Sequence, residues 1–284
     1  MATSGMSSRG HATAAKRERS RTGRLLLAAV LVATANTSSV TATADASPDP
    51  APTPRTVGGS ETPTSSAPWA VALTDNGQHF CGGTLISATK VVTAAHCALD
   101  ATTNQPRSLE TLHAITGRDD LRSDRGQDSQ IDRMWTHPEY AGYSGGKDIA
   151  VLTLRAPVLA PPLPMTGEND DTPYRPGTPG HVYGWGRTGE SEPPSPVLRS
   201  VDVPVLPSDE CQRAYPEFSP QAMFCAGVPQ GGRDACAGDS GGPYVVNGRL
   251  AGIVSYGTGC GRPGYPGVYT RVASFSHEIA AQLR

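Results

Sequence analysis

Apolar residues in this chain come in short runs, and that constrains the fold more than any other feature. After residue 56 they occur at 70–73, 84–86, 91–94, 112–116 and 149–154. Beyond a proline-rich stretch at 156–164 they return at 181–183, 201–206, 244–246, 250–254 and 268–272. Runs this short suit strands and are too short for core helices. Asn247-Gly248 separates two of them, the side-chain pair a tight hairpin requires. Only Phe275, Ile279 and Leu283 recur at helical spacing. The pattern predicts an all-β protein in two halves with one C-terminal α-helix, and no internal repeat relates the halves.

The first residues read as a leader. Lys16, Arg17, Arg19, Arg21 and Arg24 precede an apolar run at 25–33, followed by Ala33-Thr34-Ala35 and Ala44-Asp45-Ala46. A basic stretch, a short apolar stretch and an A-x-A site make a secretory signal, placed here at residues 1–46. The apolar run falls well short of the ~20 residues of a spanning helix. The leader lacks an adjacent Arg-Arg pair, which disfavours a twin-arginine route. Residues 47–55 alternate with proline, so they are extended and exposed. They end in Arg55, an available cut site, and the globular domain is expected over 56–284. The expected location is extracellular, with no membrane contact once the signal is removed. Residues 56–284 carry 17 basic against 23 acidic side chains, which excludes a bulk basic field for nucleic acid.

Cys81, Cys97, Cys211, Cys225, Cys236 and Cys260 all follow the leader. An even count in an exported chain reads as disulfides. No C-x-x-C pair is present, so a zinc site is a weak reading. Spacing alone leaves all fifteen connectivities open.

Gly238-Asp239-Ser240-Gly241-Gly242-Pro243 carries the chemistry. Glycines on both sides let the backbone turn sharply and approach a substrate. Ser240 would then sit beside free backbone N–H groups. The plainer alternative is a surface turn with an incidental serine. The segment also fits G-x-S-x-G, but that elbow needs an acid and then a histidine after the serine. After Ser240 there is no Asp, and His277 precedes the only Glu, Glu278. A base must therefore lie upstream. His79, His113, His137, His181 and His277 have no marking feature nearby. His96 follows an apolar run in Thr93-Ala94-Ala95-His96-Cys97 and abuts a cysteine. Taken alone, it remains open.

Thr93 to Cys97, then Asp148-Ile149-Ala150, then Gly238 to Pro243 resemble, in that order, the three signatures of the chymotrypsin/trypsin family of serine proteases. The likeness is to the trypsin-like branch, of secreted bacterial type. Val57-Gly58-Gly59 resembles the start of a mature enzyme. Cys81-Gly82-Gly83-Thr84-Leu85-Ile86, Tyr183-Gly184-Trp185-Gly186 and Gly267-Val268-Tyr269-Thr270-Arg271-Val272 match further segments. The resemblance covers 56–284. It implies two packed six-stranded antiparallel β-barrels, about 56–160 and 161–284, and a C-terminal helix. It also implies the pairs Cys81–Cys97, Cys211–Cys225 and Cys236–Cys260.

The resemblance further implies a secreted endopeptidase made as a zymogen, with polypeptide substrates and protein protease inhibitors as partners, no cofactor or metal, and a monomeric state. Ser240 would be the nucleophile, His96 its base, and Asp148 the acid that fixes the imidazole. Gly238 and Ser240 would form the oxyanion hole. Asp234 would sit at the base of the primary pocket and select Arg or Lys, since a buried carboxylate needs a cation. Ala235, Ser255, Tyr256, Gly257 and Gly267 would line that pocket and its channel. Cleavage after Arg55 would free Thr56 to pair with Asp239. Two departures stand out. Thr56 replaces the family's usual Ile or Val. Arg118 stands where calcium-binding members carry an acid, so Asp119, Asp120, Asp124 and Asp128 read as a solvated loop. An inactive homologue serving as a binding module is the competing reading. Such chains usually lose a triad residue, and this one keeps all three.

Overall fold

The computed structural model describes residues 57–284; the expected signal, the proline-rich segment, Arg55 and Thr56 lie outside the described residues. A two-residue strand, β1 (Ser60–Glu61), comes first and belongs to the second sheet. The next six strands are β2 (Ala70–Asp75), β3 (Gln78–Ser87), β4 (Lys90–Thr93), β5 (Leu112–Thr116), β6 (Gln127–Thr136) and β7 (Ala150–Leu154). They close into an antiparallel barrel in the order β2-β3-β4-β7-β6-β5. β4 is buried throughout and β2 nearly so. Strands covered on both faces read as continuous apolar runs rather than alternating ones.

The second sheet adds β8 (Pro179–Gly184), β9 (Arg199–Pro204), β10 (Met223–Ala226), β11 (Pro243–Val246), β12 (Arg249–Tyr256) and β13 (Gly267–Arg271), in the order β1-β9-β8-β11-β12-β13-β10. It curls until Leu206 N–H donates to Cys225 O at 2.9 Å and Gly227 N–H to Pro204 O at 3.0 Å, joining the end of β9 to β10. Phe224, Tyr244 and Tyr269 pack inside it with ring centroids 4.9–5.3 Å apart. The expected hairpin is present. Asn247 and Gly248 have φ of 49° and 71°, and Val246 faces Arg249 across the turn. Leu198, Val245, Leu250 and Ile253 share one core with the first barrel, and Trp69 meets Tyr183 edge-on at 4.9 Å.

Among the described residues three α-helices form rather than one, beside two single 3-10 turns at Tyr143–Gly145 and Thr172–Tyr174. A single turn, α1 (Ala95–Ala98), follows β4. α2 (Ser208–Ala214) buries only Cys211, so no apolar period marks it; Asp209 and Glu210 in its first turn and an Asp209–Arg213 pair favour it instead. The C-terminal helix α3 (Val272–Ala281) buries Phe275 and Ile279 as expected, while Leu283 lies beyond its end and is exposed.

Candidate active site

α1 begins directly where β4 ends, and this places His96 at the junction of the two sheets. The Cys81–Cys97 disulfide ties that turn to β3. His96 Nδ1 lies 2.8 Å from Asp148 Oδ2, and the His96 amide donates to Asp148 Oδ1 at 2.9 Å. Asp148 precedes β7 and is fully buried. Ser255, near the end of β12, donates its hydroxyl to the same Oδ2 at 2.6 Å, and Thr270 Oγ1 donates to the Asp148 carbonyl at 2.9 Å. Burial pushes this carboxyl up. The facing His96 ring, the Ser255 hydroxyl and the His96 amide outweigh it and hold Asp148 below the usual carboxylate range.

Ser240 sits on a turn that requires glycine. Gly238 has φ +100°, and a Cβ there would come within 2.9 Å of Gly186 Cα. Gly241 has φ +77°, and a Cβ there would come within 2.1 Å of Thr93 Oγ1. The turn is pinned by Gly82 N–H to Ser240 O at 2.7 Å and by Gly241 N–H to Val254 O at 2.8 Å. The Gly238 and Ser240 N–H groups have no acceptor among the described residues. Two unpaired amides on one turn make an anion cradle. The Ser240 hydroxyl makes no hydrogen bond to His96 in this geometry, and such pairs are often loose without substrate. Asp239 is buried between them, accepting from Gly186 N–H at 2.8 Å and Cys236 N–H at 3.0 Å. Burial raises its carboxyl to about 6 against those two bonds.

Ser240 opens onto a cavity of about 510 Å³ that also takes in Asp234, Ala235, Ser255, Tyr256, Gly257 and Gly267. Asp234 is 3% exposed. It accepts from Ala235 N–H at 2.8 Å and Gly261 N–H at 3.2 Å. Burial raises it to about 7, opposed by the Gly261 and Ala235 amides. A Cβ on Gly267 would come within 2.6 Å of Asp234 Oδ1, so glycine there keeps the carboxylate reachable. The Cys236–Cys260 disulfide spans the cavity wall, and Cys211–Cys225 ties α2 to β10.

A family profile described as Trypsin matches residues 56–279. The chain is 45% identical to a trypsin of Saccharopolyspora erythraea over 80% of its own length and 97% of the relative. A trypsin of Squalus acanthias is 39% identical over 81% of this chain and 97% of the relative. A vitellin-degrading protease of Bombyx mori is 40% identical over 78% and 82%.

This chain belongs to the trypsin family. It is a trypsin-like serine endopeptidase, a hydrolase acting on polypeptides. The Saccharopolyspora relative agrees with the bacterial type that the motifs suggest. Among the described residues no helix is long and apolar enough to cross a membrane.

Several site residues escape sequence reading. Tyr143 lines the cavity mouth, 5.2 Å from the His96 ring and 5.7 Å from Tyr256, and is 46% exposed. Tyr215 continues the row at 5.3 Å from Tyr256. The buried Tyr269 hydroxyl has no hydrogen-bond partner among the described residues and lies near Asp234 under Gly267. Tyr143 and Tyr215 lie in no motif, and Tyr269 lies inside the matched segment Gly267 to Val272 with nothing there that points its hydroxyl to the pocket. Only the register Val254↔Tyr269 and the fold of the intervening loop bring Tyr269 to the pocket.

Proposed function

We propose that this is a secreted endopeptidase cleaving after Arg and Lys, with Ser240, His96 and Asp148 as its triad. The observation that carries the reading is the single Asp148 oxygen bonded both to His96 Nδ1 and to the Ser255 hydroxyl. An aspartate so held fixes the ring with Nδ1–H toward itself, leaving Nε2 free as the base. Ser240 Oγ attacks the scissile carbonyl carbon while its proton passes to His96 Nε2. The carbonyl π pair moves to oxygen, where the Gly238 and Ser240 amides receive it. His96 then protonates the leaving nitrogen, the C–N bond breaks, and an acyl-serine remains. Water, deprotonated by His96, releases the acid and restores Ser240.

Specificity rests on Asp234. An ionised carboxylate this buried favours a cationic partner, and an Arg or Lys side chain reaching down the cavity supplies one. Gly257 and Gly267 leave the channel clear. Residues 1–46 are read as signal, 47–55 as propeptide, and 56–284 as the protease domain. Cleavage after Arg55 frees the Thr56 ammonium, which pairs with the buried Asp239 and orders the turn at Gly238 and Ser240. Because that site follows arginine, the enzyme is able to activate itself. Protein protease inhibitors are the further partners of this reading, and the working form is a monomer.

The test is covalent. A fluorophosphonate should label Ser240, located by peptide mass spectrometry, and Arg- and Lys-terminated amide substrates should protect it. Labelling elsewhere, or protection only by Phe- or Leu-terminated substrates, would remove the reading.

A further inference from the structure

Glu190 lies on the segment between β8 and β9 and does not line the cavity, yet its carboxylate bonds the chain at Cys260, which does. It accepts from Arg262 Nε at 2.5 Å, Arg262 Nη2 at 2.8 Å and Cys260 N–H at 3.1 Å. The residue between those two partners is Gly261. Its N–H donates to Asp234 Oδ2 at 3.2 Å, and its carbonyl accepts from Gly232 N–H at 2.8 Å. Two carboxylates, one lining the cavity and one outside it, thus hold the same three-residue piece of chain.

That piece is glycine-rich and is held at a small number of points. In the sequence Gly257-Thr258-Gly259-Cys260-Gly261, Gly259 and Gly261 have φ of +73° and +66°. Its other anchors include the Cys236–Cys260 disulfide, the bond from Thr258 N–H to the Tyr215 hydroxyl at 3.1 Å and that from Tyr265 N–H to Arg262 O at 3.1 Å. Glycine-rich backbone has many alternatives unless it is tied down. The fit to Glu190 is specific: a Cβ on Gly259 would lie 2.2 Å from Glu190 Oε1. The Glu190 segment is itself fastened to the catalytic turn, with Arg187 N–H donating to Ala237 O at 2.8 Å.

We infer that Glu190 is a positioning residue for the primary pocket: through Cys260 and Arg262 it holds Gly261 N–H on Asp234, and so sets how well that carboxylate receives a cationic side chain. This deepens the Asp234 reading and rests on it. Loss of the clamp weakens cation binding and spares the acyl-transfer steps. It also leaves Asp234 with one fewer donor, so the pH at which the pocket begins to accept a cation rises. The other titratable groups facing Asp234 are Asp239, Tyr215 and Tyr269, and the substitutions below leave all of them in place.

The experiment uses active enzyme prepared from the full chain and measures benzamidinium dissociation constants from pH 5 to 9. Wild type, Glu190→Gln, Glu190→Ala and the exchange pair Glu190→Arg with Arg262→Glu are compared, with kcat and KM on a matched Arg amide. Glu190→Ala should weaken benzamidinium about two- to fivefold at pH 8, as expected for an exposed ion pair. It should raise KM with kcat nearly unchanged and move the pH midpoint of binding upward. Glu190→Gln should lie between, and the exchange pair should recover part of the loss. Unaltered benzamidinium binding and midpoint in Glu190→Ala would overturn the clamp while leaving Asp234 in place. A fall in kcat with unaltered KM would instead assign Glu190 to the catalytic turn and also overturn it. If wild type does not bind benzamidinium at all, the Asp234 reading fails and the clamp with it.

Discussion

Ser255 in β12 donates to the Asp148 oxygen that also faces His96 Nδ1, so the second sheet helps hold a carboxylate carried by the first. Ser255→Ala removes one hydrogen bond to a buried charge, a change worth about 1.5–3 kcal/mol when the charge is left short of a partner. Only part of that reaches the imidazolium formed during catalysis, so kcat should fall about tenfold with KM little changed. Asp148 is held below its unfolded value. Its stabilising contribution is therefore present above the unfolded carboxylate pKa and lost as pH falls through the folded one. Denaturant unfolding should accordingly show Ser255→Ala less stable at pH 7 and closer to wild type in strong acid. A kcat equal to wild type would remove Ser255 from the catalytic network.

Ser240→Ala should abolish turnover, by about a millionfold in kcat, while leaving benzamidinium binding intact. His96→Ala should cost a similar amount, and the double variant little more than either alone, because residues acting as a unit are not additive. Burst-free progress curves on an ester substrate check the first point. If the double variant lost the product of the two single effects, the shared proton transfer would be wrong.

Asp234 gives a pH dependence with a definite sign. Its carboxyl is raised to about 7 by burial, so below that pH the empty pocket holds a neutral acid. A cation binds the ionised form, and benzamidinium affinity should be constant in alkali and fall toward tenfold per pH unit below about 7. Folding stability runs the other way. A raised acid favours the folded state while protonated, and that contribution is lost as pH rises through about 7. Asp234→Asn should thus abolish cation binding yet raise the melting temperature at pH 8. Titration calorimetry and thermal melts over pH 5–9 read both, and a pH-independent affinity would count against Asp234 as the receptor group.

Much of this was legible in the sequence, for physical reasons. β2 and β4 stand out because they are buried on both faces, and the hairpin because Asn247 and Gly248 both take left-handed φ. β6 does not stand out, since Asp128, Asp132 and Arg133 interrupt it and only Ser129 and Ile131 are buried. At the site, His96, Asp148 and Ser240 are visible because each sits in a local motif. Tyr143, Tyr269 and Glu190 act through neighbours far away in sequence. Glu190 meets Arg262 across 72 residues, a distance no local pattern encodes.

Activation gives a fourth prediction. Asp239 is fully buried and raised to about 6, with two amide donors among the described residues. An ammonium delivered beside it would favour the ionised form and tighten the turn that carries the free Gly238 and Ser240 amides. Arg55→Gln should therefore remain uncut and have below about one per cent of wild-type kcat/KM, a loss of roughly 3 kcal/mol or more. In cleaved enzyme, Asp239→Asn should be similarly impaired while retaining its fold by circular dichroism. N-terminal sequencing of the active form should begin at Thr56. Full activity in uncut Arg55→Gln would falsify the proposal.

The last prediction concerns the choice between Arg and Lys. Ala235 lies directly beside Asp234, its amide on Asp234 Oδ1, and its methyl group offers no hydrogen bond to the pocket. A Lys ammonium is a compact charge on a shorter reach and needs several donors satisfied at once, whereas the Arg fork can bond a carboxylate at two points. With alanine here, Lys loses a partner that a serine hydroxyl would supply, and Arg loses less. One missing hydrogen bond to a charged group is worth about 1.5–3 kcal/mol at most. Water in the pocket recovers part of it, so the Arg/Lys ratio in kcat/KM should lie at roughly 5–50. Ala235→Ser should narrow the ratio by improving Lys rather than by harming Arg. The Tyr269 hydroxyl, which has no hydrogen-bond partner among the described residues, is another polar group near Asp234. If it serves Lys through a bridging water, Tyr269→Phe should widen the ratio further in the Ala235 background. Paired peptide amides differing only in the residue before the cut measure all three. Equal rates on Arg and Lys would remove the Ala235 argument and leave Asp234 intact, while a preference for Phe or Leu would overturn both.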